Sequence, residues 1–146
     1  MPFQSENSDP QQRAFLRLMR VAESAERTVE ACLKNRGINL SQYLTLDCLI
    51  RRGPQPQTAI AKFLSRTGGN VSAVVAKLVN LGYVVRLEST EDQRMTIVKV
   101  TPGGEAFFES VHNEYRYSID QYFSMLPSEV AAVVMQLNED DDDDES

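Results

Sequence analysis

The chain is poor in the residues that do chemistry. It has two cysteines, Cys32 and Cys48, in no CxxC pair, and one histidine, His112. That set offers no zinc site with usable spacing, and no metal or other cofactor is expected. The two thiols read as small buried hydrophobes, because redox sensing requires a lowered thiol pKa together with exposure. There is no nucleophile beside a base, no carboxylate pair in a pocket signature and no phosphate-cradling loop followed by lysine, so no enzyme is expected. Long apolar runs are missing too. The longest, such as residues 131–135, are far too short to cross a bilayer. The first twelve residues are polar and lack the apolar core of a signal peptide, so a cytoplasmic location is expected, with no membrane partner. No internal repeat is visible.

What is present is ordinary in amount and unusual in placement. The 146 residues suffice for one domain with its own core, and 42% apolar with 25% charged residues is the composition of a soluble globular protein. The net charge is −6, but residues 1–40 carry +1, residues 41–101 carry +4 and residues 102–146 carry −11. Seven of the negative charges lie in residues 139–146 alone. The positive field therefore sits on the middle segment, whatever the overall balance says.

Apolar spacing divides the chain into elements. Phe15, Leu18, Met19, Ala22, Ala25, Val29, Cys32 and Leu33 recur at three- and four-residue intervals, which predicts an amphipathic helix from Gln11 to a stop at Gly37. Ser41 is the expected cap of a second helix with Tyr43, Leu44, Leu46, Leu49 and Ile50 apolar, ended by Gly53-Pro54. Pro56 is placed near the start of a short helix whose inner face is Ala59, Ile60, Phe63 and Leu64. Residues 65–69 form a turn. The next helix presents Val71, Val74, Val75, Leu78 and Leu81 inward and closes at Gly82. Residues 83–87 and 95–100 read as two strands about a polar turn, with Thr96, Val98 and Val100 alternating with Ile97 and Lys99.

Thr101-Pro102 opens a long helix with the stripe Phe107, Phe108, Val111, Tyr115, Ile119, Tyr122, Phe123 and Leu126. A last helix carries Val130, Val133, Val134 and Leu137. The resulting fold class is mainly α with a small β-wing: a winged helix-turn-helix over about residues 41–101, flanked by dimerisation helices over 11–36 and 102–138. Together these make a single domain over 11–138, between a frayed N-terminus at 1–10 and a disordered acidic tail at 139–146. A helix-turn-helix usually works as a two-fold pair on a palindromic site, so Phe15, Leu18, Met19, Tyr115, Tyr122, Phe123 and Leu137 are the expected contacts of a homodimer.

The run Gly69-Asn70-Val71-Ser72-Ala73-Val74-Val75-Ala76-Lys77-Leu78-Val79-Asn80-Leu81-Gly82-Tyr83-Val84-Val85-Arg86, the wing Asp92-Gln93-Arg94 and the exit Val100-Thr101-Pro102-Gly103-Gly104 together resemble the MarR family of bacterial winged-helix regulators. Each motif is weak alone; in register, and with the same order of helices on both sides, they span nearly the whole chain. Gln93 stands where that family often has arginine, and Ala73 where it often has a larger or basic residue.

Double-stranded DNA is then the expected partner. Ser65 or Thr67 is placed at the helix N-cap, and Gly68 and Gly69 let backbone N–H groups approach phosphate. Asn70 is assigned to adenine, Ser72 to a base or a phosphate, and Ala73 to a thymine methyl. Arg66 and Lys77 are placed along the phosphate backbone, Thr67 is counted among the DNA contacts, and Arg86 is a phosphate contact or a partner of Asp92. The resemblance implies that Arg94 reaches a minor groove, held in direction by Asp92. It also implies release from DNA by a small phenolic or lipophilic ligand in a crevice for which Tyr43, Leu46, Cys48 and Arg51 are candidates. Repression is the default outcome. Two alternatives remain: a winged-helix module that binds other proteins, and a regulator that senses oxidation through a cysteine.

Overall fold

The computed structural model describes residues 9–64, 70–88 and 95–137. The frayed N-terminus and the acidic tail expected above therefore lie, almost entirely and entirely respectively, outside the described residues, as does the turn at 65–69. The chain forms α1 (Pro10–Lys34), α2 (Leu40–Arg52), β1 (Gln55–Pro56), α3 (Gln57–Leu64), α4 (Val71–Asn80), β2 (Val84–Glu88), β3 (Thr96–Val100), α5 (Pro102–Ser124) and α6 (Val130–Met135). It divides into two compact units, residues 30–115 and the two chain ends outside them.

In the 30–115 unit two helices end by the same device. The Ile38 N–H bonds the Leu33 carbonyl and the Gly37 N–H bonds that of Lys34; after α4, the Tyr83 N–H bonds Leu78 and the Gly82 N–H bonds Val79. The pivots, Gly37 at φ +81° and Gly82 at φ +79°, occupy the left-handed region that glycine enters without steric penalty. The start of α2 differs from the expectation. Asn39, not Ser41, is its cap: the Asn39 side chain accepts from the Gln42 N–H and the Gln42 side chain accepts from the Asn39 N–H, each at 2.9 Å. This reciprocal pair satisfies two N–H groups, where Ser41 would satisfy one. Ser41 instead lies inside the helix, its carbonyl accepting the Thr45 hydroxyl at 2.8 Å.

The sheet has three strands in the order β1-β3-β2, all antiparallel. Gln55 and Pro56 pair with Val98 and Ile97, so Pro56 belongs to an edge strand rather than to the first turn of α3. The residue has no N–H to give to a ladder, and an edge is where a strand proline is tolerated. The core beneath the sheet is built from Leu33, Leu46, Leu49, Ile60, Leu64, Val75, Leu78, Val84, Val98 and Val111, each fully or almost fully buried. Ala59 and Leu81, expected inward, face solvent. The turn around Gly82 carries Leu81 off the buried line of Val74, Val75 and Leu78.

Thr101 fixes the entry of α5. Its hydroxyl donates to the Gly82 carbonyl at 2.6 Å and accepts from the Gly104 N–H at 3.0 Å, while its own N–H bonds the Tyr83 carbonyl. The backbones approach so closely here that a Cβ on Gly104 would collide with the Tyr83 carbonyl oxygen and lie 2.8 Å from Val100 Cγ2.

The other unit comprises α1 up to Val29, the end of α5 from Arg116, and α6. Tyr122 is buried and donates its hydroxyl to the Val21 carbonyl at 3.0 Å. Phe15, Leu18, Met19, Phe123, Val133, Val134 and Leu137 are exposed. No residue of α6 is buried. Of the expected dimer contacts, Tyr122 is thus consumed by packing within the chain. So is Tyr115, whose ring lies 4.1 Å from that of Tyr43 in the 30–115 unit.

Candidate nucleic-acid interface

Helix α4 is amphipathic in the strict sense. Val74, Val75 and Leu78 are buried, while Ser72, Ala73, Ala76, Lys77 and Asn80 are exposed on the opposite side. At 3.6 residues per turn that outward line is continuous along the helix. The structure therefore brings Asn70, Ser72, Ala73 and Lys77 together on one open surface. Ala76 and Asn80 share it, although the sequence reading did not single them out. The signal was available, since both follow Ala73 at helical spacing.

Asn70 also has a local task. Its side chain accepts from the Ala73 N–H at 3.4 Å, making Asn70 the N-cap of α4 in place of the expected Ser65 or Thr67. An asparagine immediately before the first helical turn satisfies an otherwise orphaned N–H. Arg86 is exposed on β2, where it pairs in register with Val98 of β3. Arg66, Thr67, Gly68, Gly69, Asp92 and Arg94 lie outside the described residues.

Between α3, the start of α4 and β3 there is a cavity of about 250 Å³ lined by Gln57, Thr58, Ala61, Val71, Met95 and Thr96. None of the four proposed ligand residues lines it. Leu46 is completely buried, and Tyr43 and Cys48 are nearly so. Tyr43 is fully engaged: its hydroxyl shares a 2.9 Å hydrogen bond with His112 Nδ1, and its ring stacks on Phe108 with centroids 5.0 Å apart. Burial pushes the Tyr43 hydroxyl well above the usual tyrosine range and raises that of Tyr115, and the carboxylate of Asp47 adds to both. Only Arg51 of the set faces solvent, paired to Asp47 one turn earlier at 2.6 Å. The expected crevice set is therefore corrected: three of its members are buried, Tyr43 against the rings of Phe108 and Tyr115. Burial likewise pushes the Cys48 thiol up, against the thiolate that oxidation sensing needs. Among the described residues no group of His, Cys, Asp or Glu could hold a metal ion, and no helix is long and apolar enough to cross a membrane.

This geometry has known counterparts. A profile described as MarR family matches residues 38–96, from just after the turn that closes α1 to the first residue of β3. An uncharacterised HTH-type transcriptional regulator, YkoM of Bacillus subtilis (strain 168), is 30% identical over 105 residues, covering 71% of this chain and 68% of its own. Among solved structures, a mutant MarR from E. coli complexed with operator DNA superposes with a TM-score of 0.73 at 24% identity, covering 89% of this chain and 96% of that one. BpsR of Bordetella bronchiseptica, described as regulated in its DNA binding by 6-hydroxynicotinic acid, gives a TM-score of 0.73 at 19% identity over 87% of this chain and 97% of its own. With the recognition-type helix, the strand pair behind it and a relative of this identity and coverage in agreement, the chain belongs to the MarR family and is a transcriptional regulator with a helix-turn-helix DNA-binding fold, not an enzyme.

Proposed function

We propose that this regulator acts in the cytoplasm as a homodimeric repressor that binds a palindromic operator and is released by a small phenolic or lipophilic ligand. The observation that carries the DNA half of this reading is the outer face of α4, where Asn70, Ser72, Ala73 and Lys77 stand exposed opposite Val74, Val75 and Leu78. A helix so disposed fits the major groove, with Lys77 and Arg86 positioned for phosphate. Arg66, Thr67, Gly68 and Gly69 are assigned to the backbone next to it, and Arg94, supported by Asp92, to the minor groove. The dimer half rests on Phe15, Leu18, Met19, Phe123 and Leu137, apolar side chains left exposed in the chain-end unit. Ligand release is supported by the likeness to BpsR. Its site in this chain is not the Tyr43, Leu46 and Cys48 cluster, which is filled; of that set, Arg51 alone is accessible.

The test is fluorescence anisotropy with the DNA upstream of this protein's own gene, at two salt concentrations, with random DNA as competitor. Competitor-resistant binding is expected, with an affinity that falls steeply with salt. Binding that random DNA removes completely would refute a specific operator there.

A further inference from the structure

The first two turns of α4 carry one more inference, and it rests on the DNA-binding reading above. Bidentate recognition of adenine needs a carboxamide turned outward, its oxygen on the N6 amino group and its nitrogen on N7. In Asn70 that oxygen is turned back onto the Ala73 N–H. The residue sits where a cap belongs, in extended backbone at φ −86° and ψ 110°. Asn70 is therefore occupied in starting the helix.

The middle of the reading face is bare. The line opposite Val74, Val75 and Leu78 runs through Ala73, Ala76 and Asn80, with Ser72 and Lys77 at its two sides. Recognition helices contact bases mainly through their N-terminal residues, and here the centre of that region is two exposed methyl groups. A methyl group has no hydrogen bond to offer a base edge. Its complement in the major groove is the 5-methyl group of thymine. Nor does the fold require alanine at either position, since both side chains face solvent and a longer one would fit. Small side chains also let the helix backbone come closer to the groove floor.

We propose that Ala73 and Ala76 determine specificity by packing against thymine 5-methyl groups, and that Asn70 is a positioning residue which caps the helix rather than reading adenine. The operator half-sites of this regulator are then marked by thymines under α4.

The full chain is used to enrich duplexes from a randomised DNA pool, and the enriched duplex is remade with deoxyuridine replacing one thymine at a time. Binding about fourfold weaker is expected at one or two thymines per half-site, the effect of removing one buried methyl-sized group. In Ala73→Gly and Ala76→Gly, with folding checked by circular dichroism, the thymine-over-deoxyuridine ratio falls toward one. Ala73→Ser and Ala76→Ser repeat the test in case a glycine unfolds the helix. Indifference to every deoxyuridine, or a ratio unchanged in all variants, overturns the proposal. A pool that enriches no sequence overturns the DNA-binding reading itself. For Asn70, replacement by Ala weakens binding about fivefold and replacement by Ser restores it, as for a cap; 7-deazaadenine in the duplex has no effect. Weakening by 7-deazaadenine that disappears in Asn70→Ser shows an adenine contact and overturns the capping assignment.

Discussion

The 30–115 unit and the chain-end unit place similar apolar residues in opposite ways. The first sinks Leu33, Leu46, Ile60, Leu64, Val75, Leu78, Val98 and Val111 completely. In the second, among the described residues, only Val29 and Tyr122 are buried, while Leu18 is 60% and Phe15 58% exposed. Both units are helical and both carry apolar residues at three- and four-residue spacing. The spacing thus reveals that a face is apolar, but not whose core it joins. A unit that hides its own stripe is complete as a single chain; one that leaves it open is suited to a second copy.

Substitutions can break this contrast or sharpen it. The largest expected effect is Leu46→Ala, which should destabilise the fold by about 3 kcal/mol in urea unfolding, because it opens a cavity in a closed core. Gly104→Ala follows at about 2 kcal/mol, measured the same way. Its new methyl group collides with the Tyr83 carbonyl, which is backbone and has little room to yield. Tyr43→Phe removes the hydroxyl that bonds His112 and should cost about 1 kcal/mol near neutral pH.

Tyr43→Phe also tests a pH dependence. A tyrosine whose hydroxyl is raised in the folded chain stabilises fully below its ordinary value of 10.0, and that contribution is lost as pH rises further. Stability should therefore decline above about pH 10 in the parent chain, and less steeply in Tyr43→Phe. Equal alkaline slopes in the two would exclude Tyr43 as the cause. The smallest expected effect on folding is the sharpest test of the comparison. Leu18→Ala should change unfolding free energy of dilute protein by less than about 0.5 kcal/mol, yet raise the dimer dissociation constant at least about tenfold in sedimentation equilibrium. A loss of stability like that of Leu46→Ala would show that Leu18 belongs to a single-chain core after all.

The same contrast explains what the sequence made legible. Helices α2, α4 and α5, the β2–β3 pair and the stops at Gly37, Gly53 and Gly82 follow from apolar period and turn residues, and they appear within a residue or two of expectation. β1 escaped notice because two residues carry no period; only the pairing with Val98 and Ile97 defines it. Asn39 was overlooked because the Asn-x-x-Gln signature competes with a neighbouring serine that also caps well. The open face of α4 was legible in part: Ser72, Ala73 and Lys77 were named from the motif, whereas Ala76 and Asn80 needed the helix phase to be carried one turn further. The misplacement of Tyr43, Leu46 and Cys48 has a different origin. Burial is settled by contacts distant along the chain, as where Tyr43 meets His112 across 69 residues, and no local pattern announces such a meeting.

Pro56 has a consequence beyond the shape of the wing. The strand order leaves β1 at one margin of the sheet, where an unpaired row of N–H and C=O groups would invite a strand from a neighbouring molecule. The margin is only two residues long, and one of them has no proton to donate. A regulator of this build exposes a sheet beside its recognition-type helix without offering that side of it as a template for aggregation.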